Sequence, residues 1–256
     1  MKKQFKRWIF RLTFTGVFLL ALLVTFMLNP ILLYANKTVM GNYSIYHNKP
    51  LNQNLAFRLE QSISIIKASE LYDPKLKMDV CLKDGSKYPG LVEKVLGRDV
   101  LSSFYNKIVL TGDEVNFDRN YIQFYEHKWN LTEMLAHAQV HCVEFNKYGL
   151  WKSNPIGRHP EWKWEGYPEY IARQNAQLGN LQAGIKTLLK TERDNDTGWM
   201  TLPDSTEALV HYFKYRLLTL YCLEVKKMTF VNLLRDTTRE ETIRLQMMDW
   251  YNKHPD

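Results

Sequence analysis

Cysteine is scarce in this chain: Cys81, Cys142 and Cys222 are the three in 256 residues. Three cannot build a disulfide framework; in an oxidising compartment one pair could form and one thiol would be left over. The glycine patterns that cradle nucleotides are missing too, with no G-x-G-x-x-G and no P-loop, and no G-x-S-x-G elbow presents a nucleophilic serine. No internal repeat or low-complexity linker divides residues 40–256, a length that fits one domain. An excess of positive charge is also missing from that domain. The chain carries a net +7, but Lys2, Lys3, Lys6, Arg7 and Arg11 stand at its very start, and without them about +2 remains. The basic character therefore speaks of membrane topology, and no nucleic-acid partner is expected.

What is present begins with that flank. Behind it, Leu12 to Ala35 runs 24 residues without a charge, enough to cross a hydrocarbon layer of about 30 Å at about 1.5 Å per residue. The run exceeds the apolar stretch of a secretory signal and no clear A-x-A site follows it, so an uncleaved signal anchor is expected over residues 1–35. Five cations precede the span and only Lys37 and Lys49 follow closely. This bias predicts a single-pass membrane protein with a cytoplasmic N-terminus and the folded domain on the extracytoplasmic side.

The domain reads as α+β, with strands in its first half and helices in its second. Tyr43 to Tyr46, Lys77 to Leu82 and Lys107 to Thr111 are rich in β-branched and apolar residues between turn signals and read as strands. Leu51 to Leu71 has helical periodicity. From Asn130 the pattern turns helical: Asn130-Leu-Thr-Glu133 has the form of a capping box, and Gly149 is a natural stop. Between them Met134, His137, Ala138, His141, Phe145 and Tyr148 recur at spacings of three and four, which predicts one shared face. Further helices are expected near 165–177, 181–193, 205–227, 229–236 and 239–251.

The chemistry concentrates in Leu135-Ala-His137-Ala-Gln-Val-His141-Cys. Two histidines at i and i+4 on one helix can reach a single ion at about 2.0–2.1 Å. Two core histidines bonded to backbone or carboxylates fit the same spacing. Downstream, Glu165 and Glu169 are again i and i+4, set among Trp162, Trp164, Tyr167 and Tyr170. One carboxylate can complete a three-ligand site while the other orients a ligating imidazole; two solvated glutamates on a surface helix would be the alternative. Cys142 follows His141 directly but points about 100° away on a helix, so no Cys–His dyad is implied.

Over roughly Leu131 to Ile171 the sequence resembles the gluzincins, the thermolysin-like zinc metallopeptidases, whose signature is H-E-x-x-H on one helix with a glutamate ligand on a second. His137 and His141 match the paired histidines; Glu165, 24 residues after His141, matches the third ligand, and Glu169 the outer carboxylate. A looser likeness extends through Lys226-Lys-Met-Thr-Phe-Val-Asn-Leu-Leu towards Trp250. The resemblance implies a Zn2+ site, a peptide or protein partner, and an oxyanion-stabilising side chain on a later helix, for which His211, Tyr212 and Tyr215 are the candidates. His211 and Tyr215 share a face there, and Tyr212 is offset from it.

One position departs from that signature. Where the family has its general-base glutamate, this chain has Ala138, and a methyl group can neither take a proton from a metal-bound water nor return it. Loss of a placed base costs about 10²–10⁴-fold in rate, whereas metal binding needs only the three ligands. The expectation is a metallopeptidase-like domain that is weakly active or inactive. An active enzyme would need another base: Glu133, Glu144 and a water held by Gln139 are the nearby options. A purely structural or interaction domain would need no metal at all.

Overall fold

The computed structural model of the chain describes residues 2–173, 180–194 and 197–254. Helix α1 runs from Lys2 to Leu28, and its stretch Phe10–Leu28 is long and apolar enough to cross a membrane. Only 6% of that stretch is buried within the molecule, which separates it from the core helix of a globular protein; a secretory signal would pass the same test. The apolar run does not stay helical to Ala35. Asn29-Pro30 interrupts it, Pro30–Leu33 forms a short 3-10 turn, and Tyr34 is buried with its hydroxyl donating to the Leu82 carbonyl at 2.8 Å.

A five-stranded mixed sheet follows, in the order β1-β2-β3-β5-β4. Its strands are β1 (Asn36–Met40), β2 (Tyr43–His47), β3 (Met78–Cys81), β4 (Leu101–Phe104) and β5 (Lys107–Leu110). The pairs β2/β3 and β3/β5 are parallel, whereas β1 and β4 lie antiparallel at the two edges. The parallel pairs require crossovers, which α2 (Leu55–Ile66) and α3 (Tyr88–Leu96) supply. Alternation along the strands divides the sheet cleanly. Ile45, Val80 and Ile108 face α2, while Tyr46, Cys81 and Val109 face α3 and the last turn of α1. A three-stranded meander, β6 (Glu114–Asn116), β7 (Tyr121–Phe124) and β8 (His127–Asn130), leads directly into α4 (Leu131–Tyr148).

Helix α4 is buried on nearly every side from Leu131 to Glu144, polar residues such as Glu133, Gln139 and Glu144 included. Leu131, Leu135, Ala138 and Cys142 meet the sheet. Ala136, Val140 and Val143 meet the helical second half, and Met134, His137, His141 and Phe145 open onto a cavity. Asn130 caps the helix by accepting from the Glu133 amide at 3.2 Å, and Gly149 ends it at a φ of 72° that a side chain would strain. The sequence pattern put Ala138 on the histidine face. Its methyl instead lies fully enclosed in the sheet-facing cluster, about 100° round from His137.

The second half comprises α5 (Glu161–Trp164), α6 (Gly166–Ala172), α7 (Leu181–Asp194), α8 (Val210–Leu220), α9 (Phe230–Arg235) and α10 (Glu240–Lys253). Three sequence expectations change here. The helix expected over 165–177 is α6, which ends at Ala172; positions 174–177 lie outside the described residues. The helix expected from Ser205 begins at Val210, because Glu207–Leu209 (β10) pairs with Trp199–Thr201 (β9) in a hairpin, and it closes in a π-helical turn at Tyr221–Val225. Finally, Cys81, Cys142 and Cys222 are all free and buried in three separate core clusters, so no pair of them forms a disulfide.

Helices α6 and α8 approach through Gly166, where an added Cβ would lie 2.4 Å from Thr219 Oγ1 and 2.7 Å from the Tyr215 carbonyl oxygen. No side chain fits there without pushing the helices apart. Gly166→Ala should therefore destabilise the fold by about 1–3 kcal/mol, lowering the melting temperature by roughly 2–4 °C per kcal/mol. Thermal unfolding followed by circular dichroism checks this, and an unchanged midpoint would contradict the close approach.

Candidate metal centre

Four elements converge on one end of the cavity. Helix α4 supplies His137 and His141 one turn apart, and the break between α5 and α6 supplies Glu165. The loop before β4 supplies Asp99, and the first turn of α8 supplies Tyr212. Glu165 is held at that break because α6 must start on Gly166, the residue that lets it pack against α8. The side-chain donors of His137, His141 and Glu165 all lie within 4.8 Å of one another, a group that could hold a metal ion.

The geometry is tighter than that bound. Nε2 of His137 and Nε2 of His141 are 3.1 Å apart, and Glu165 Oε2 stands 3.3 Å from the first and 3.2 Å from the second. Tetrahedral coordination at about 2.0–2.1 Å places neighbouring donors about 3.3–3.4 Å apart. The triangle already has nearly that size, so an ion would require only small adjustments and would keep one face open towards the cavity.

Each imidazole is gripped from behind. Glu169 Oε1 lies 3.0 Å from His137 Nδ1, and Glu144 Oε2 lies 2.8 Å from His141 Nδ1. An ionised carboxylate accepts, so each Nδ1 carries a proton and each Nε2 is left facing the triangle, where it can take a second proton or bind an ion. Glu169 is fixed in turn by Arg173, whose Nε donates at 2.6 Å, while Arg173 Nη1 reaches Glu133 Oε2 at 2.8 Å. A buried relay thus runs from His137 through Glu169 and Arg173 to the first turn of α4. The sequence pattern assigned Glu133 to the capping box; its carboxylate makes this ion pair with Arg173.

Three lone pairs facing one another need positive charge between them. Burial alone would lower both imidazoles. At His137 the Glu165 and Glu169 hydrogen bonds outweigh it, and at His141 the Glu165 charge and the Glu144 hydrogen bond do, raising His141 to about 10. Burial would raise the carboxyls, but the two imidazoles pull Glu165 well below its ordinary range, and Arg173 and His137 bring Glu169 to about 2. Glu144 goes the other way, pushed up to about 7 by burial despite His141, and its Oε1 finds no hydrogen-bond partner among the described residues.

Of the alternative bases named from sequence, none faces the open side. Glu144 sits at Nδ1 of His141, behind the ring and fully buried. Gln139 is turned away, donating to Ser62 Oγ at 2.7 Å, and Glu133 is engaged by Arg173. Among the later-helix candidates, Tyr212 lines the cavity with its ring centroid 6.3 Å from that of His137, although the helical pattern had paired His211 with Tyr215. His211 is exposed, and Tyr215 is buried in the helical core. Burial pushes the Tyr212 hydroxyl well up, keeping it a proton donor.

Asp99 had no sequence signal, because its neighbourhood depends on a loop-to-helix contact between residues far apart in the chain. It lines the cavity beside His137, His141 and Glu165. Crowding by the cavity walls raises its carboxyl above the ordinary range, with the Val100 amide and His137 opposing and Glu165 adding. Asp99 stands outside the three-residue donor group.

The proton balance of the cluster can be tested by pH. In metal-free protein, imidazoles raised above their unfolded value of about 6.5 contribute stability below that pH and lose it as pH climbs through the folded value, about 10 for His141. The lowered carboxylates contribute above about 4.3 and lose their contribution as pH falls through their folded values. Metal-free protein should therefore lose stability between about pH 6.5 and about pH 10. A bound divalent ion requires neutral imidazoles and should reverse that slope. Melting temperatures measured with chelator and with metal decide it; parallel slopes would contradict the cluster. No family model, no curated protein and no solved structure matches this chain, so its function is argued from this geometry.

Proposed function

We propose that the chain is a membrane-anchored zinc-binding domain, metallopeptidase-like in its ligand set, whose cavity receives an extended segment of a peptide or protein. Helix α1 is the anchor, with its basic flank in the cytoplasm and the folded domain outside. The observation that carries the reading is the His137–His141–Glu165 triangle, with edges of 3.1–3.3 Å. Two imidazoles and a carboxylate suit zinc, and the carboxylates behind both rings are the supports a ligating histidine needs. The cavity, of about 340 Å³, is flanked by Ser102 and Ser103 of β4. That strand ends the sheet order, so its outer edge offers backbone groups with which an extended chain can pair.

Metal analysis of the full-length protein purified in detergent without chelators tests this. One zinc per chain is expected, and His141→Ala should weaken zinc binding by more than about 100-fold. Protein that carries no zinc and takes none up on titration would leave an interaction domain with two core histidines.

With Ala138 enclosed and Glu144 behind His141, hydrolysis through the usual position is closed, and weak or absent activity follows. A second reading rests on Asp99. From the open side of the cavity its carboxylate could accept a proton from an attacking water and return it to the departing amine nitrogen as the peptide bond breaks. Tyr212 would donate to the developing oxyanion. If that reading holds, chelator-sensitive cleavage of a casein substrate should fall about 10²–10⁴-fold in Asp99→Asn with zinc content unchanged. Absence of cleavage in the parent protein returns the chain to the binding role alone.

A further inference from the structure

Resting on that reading of α1 as an anchor, we infer that the cavity serves polypeptide segments lying directly against the membrane: the first few residues of another membrane-anchored chain beyond its own span. The domain is not hung on a loose tether. Leu23 and Met27, in the last turns of α1, pack with Tyr34, Tyr88 and Val92 into a small core shared with the underside of the sheet. Tyr88 Oη donates to the Met27 carbonyl at 2.6 Å, Ser86 Oγ donates to the Leu33 carbonyl at 2.8 Å, and the Tyr34 and Tyr88 rings lie 5.8 Å apart. The start of α3 is thereby locked to the point where the apolar helix ends.

The other end of α3 is the rim of the cavity. Leu96 and Gly97 line it together with His137, His141 and Glu165. Nine helical residues, Tyr88–Leu96, extend about 13 Å. The contact to α1 is made by the Tyr88 hydroxyl, so the length of that side chain adds to the helix, and the cavity rim stands within roughly 20 Å of the end of the span, whatever the tilt of α3; a headgroup layer occupies roughly 5–8 Å of that. Exposed apolar side chains mark the same region: Ile31 and Leu32 beside the end of α1, and Val95 and Leu96 at the rim.

That gap selects the occupant. A folded domain of about 100 residues has a radius of gyration near 13 Å and cannot enter it. An extended strand advances about 3.3 Å per residue, so the chain reaching the cavity from the bilayer is roughly the first six residues after a span. Anchoring both partners in one membrane would also raise their effective concentration without any further contact.

Because the three native cysteines are buried, a single surface cysteine can be labelled selectively. Full-length protein carrying Leu96→Cys would be reconstituted in phosphatidylcholine vesicles with nitroxide on the headgroup, beside Leu245→Cys on α10, an element whose packing lies in the helical core. A fluorophore at Leu96 should be quenched more strongly than one at Leu245; equal or weaker quenching overturns the placement. A benzophenone at Leu96→Cys, with a palmitoylated 15-residue random-sequence peptide on the same vesicles, should then cross-link mainly to the first few residues from the lipid. Cross-links spread evenly along the peptide overturn the choice of occupant. Zinc content of the same samples is measured separately. Quenching without zinc therefore sinks only the metal reading, and zinc without quenching sinks only this one.

Discussion

Three electron-pair donors forced to within 3.1–3.3 Å of one another are the constraint around which the rest of this domain is arranged. Left to themselves, two imidazole nitrogens and a carboxylate oxygen would separate, since each prefers water and repels the others. They stay together because everything behind them is rigid. His137 and His141 project from a helix buried on its sheet side and its helical side alike, and Glu165 is clamped at a helix break that packs against α8 through a glycine. Positive charge must then occupy the centre, as extra protons on the histidines or as a metal ion. The raised imidazoles and lowered Glu165 describe the first case.

The supports cost folding energy, which is why they are informative. Arg173, Glu133, Glu169 and Glu144 are charged groups in the interior, and burying such groups is unfavourable unless each finds good partners. Most do: the Arg173–Glu169 and Arg173–Glu133 contacts are 2.6 and 2.8 Å. Glu144 does only partly, with one oxygen on His141 and the other without a partner among the described residues. Apolar side chains of similar volume would fill this space at no loss of stability. Ala138 fits the same picture, since its methyl completes the apolar seam between α4 and the sheet.

Around this centre the architecture packs the end of the long apolar helix α1 and a cleft against one sheet. The underside of the sheet holds the last turns of α1 through aromatic contacts, and its edge strand β4 borders the cavity. The same short helix, α3, touches α1 at one end and the cavity at the other. The spacing between the end of α1 and the cleft is thus built into the fold.

Local chemistry determined much of this before any tertiary contact. Helix α4, its Asn130 cap and its Gly149 stop follow from side-chain capping and from glycine's freedom at positive φ; the strands β2, β3 and β5 follow from short β-branched and apolar runs between turns. The apolar run ahead of the domain and the pairing of His137 with His141, with Glu165 and Glu169 four residues apart downstream, were also legible, because helical periodicity alone places such residues side by side. What distance along the chain concealed, only folding decided. Asp99 enters the cavity because β4 lies beside α4, and Tyr212 meets His137 because α8 packs so that this side of it borders the cavity. Glu133 serves Arg173, and Ala138 turns to the sheet because the packing on either side of α4 sets its rotation. Periodicity tells which residues share a side of a helix, whereas the partners that helix meets tell what that side is for.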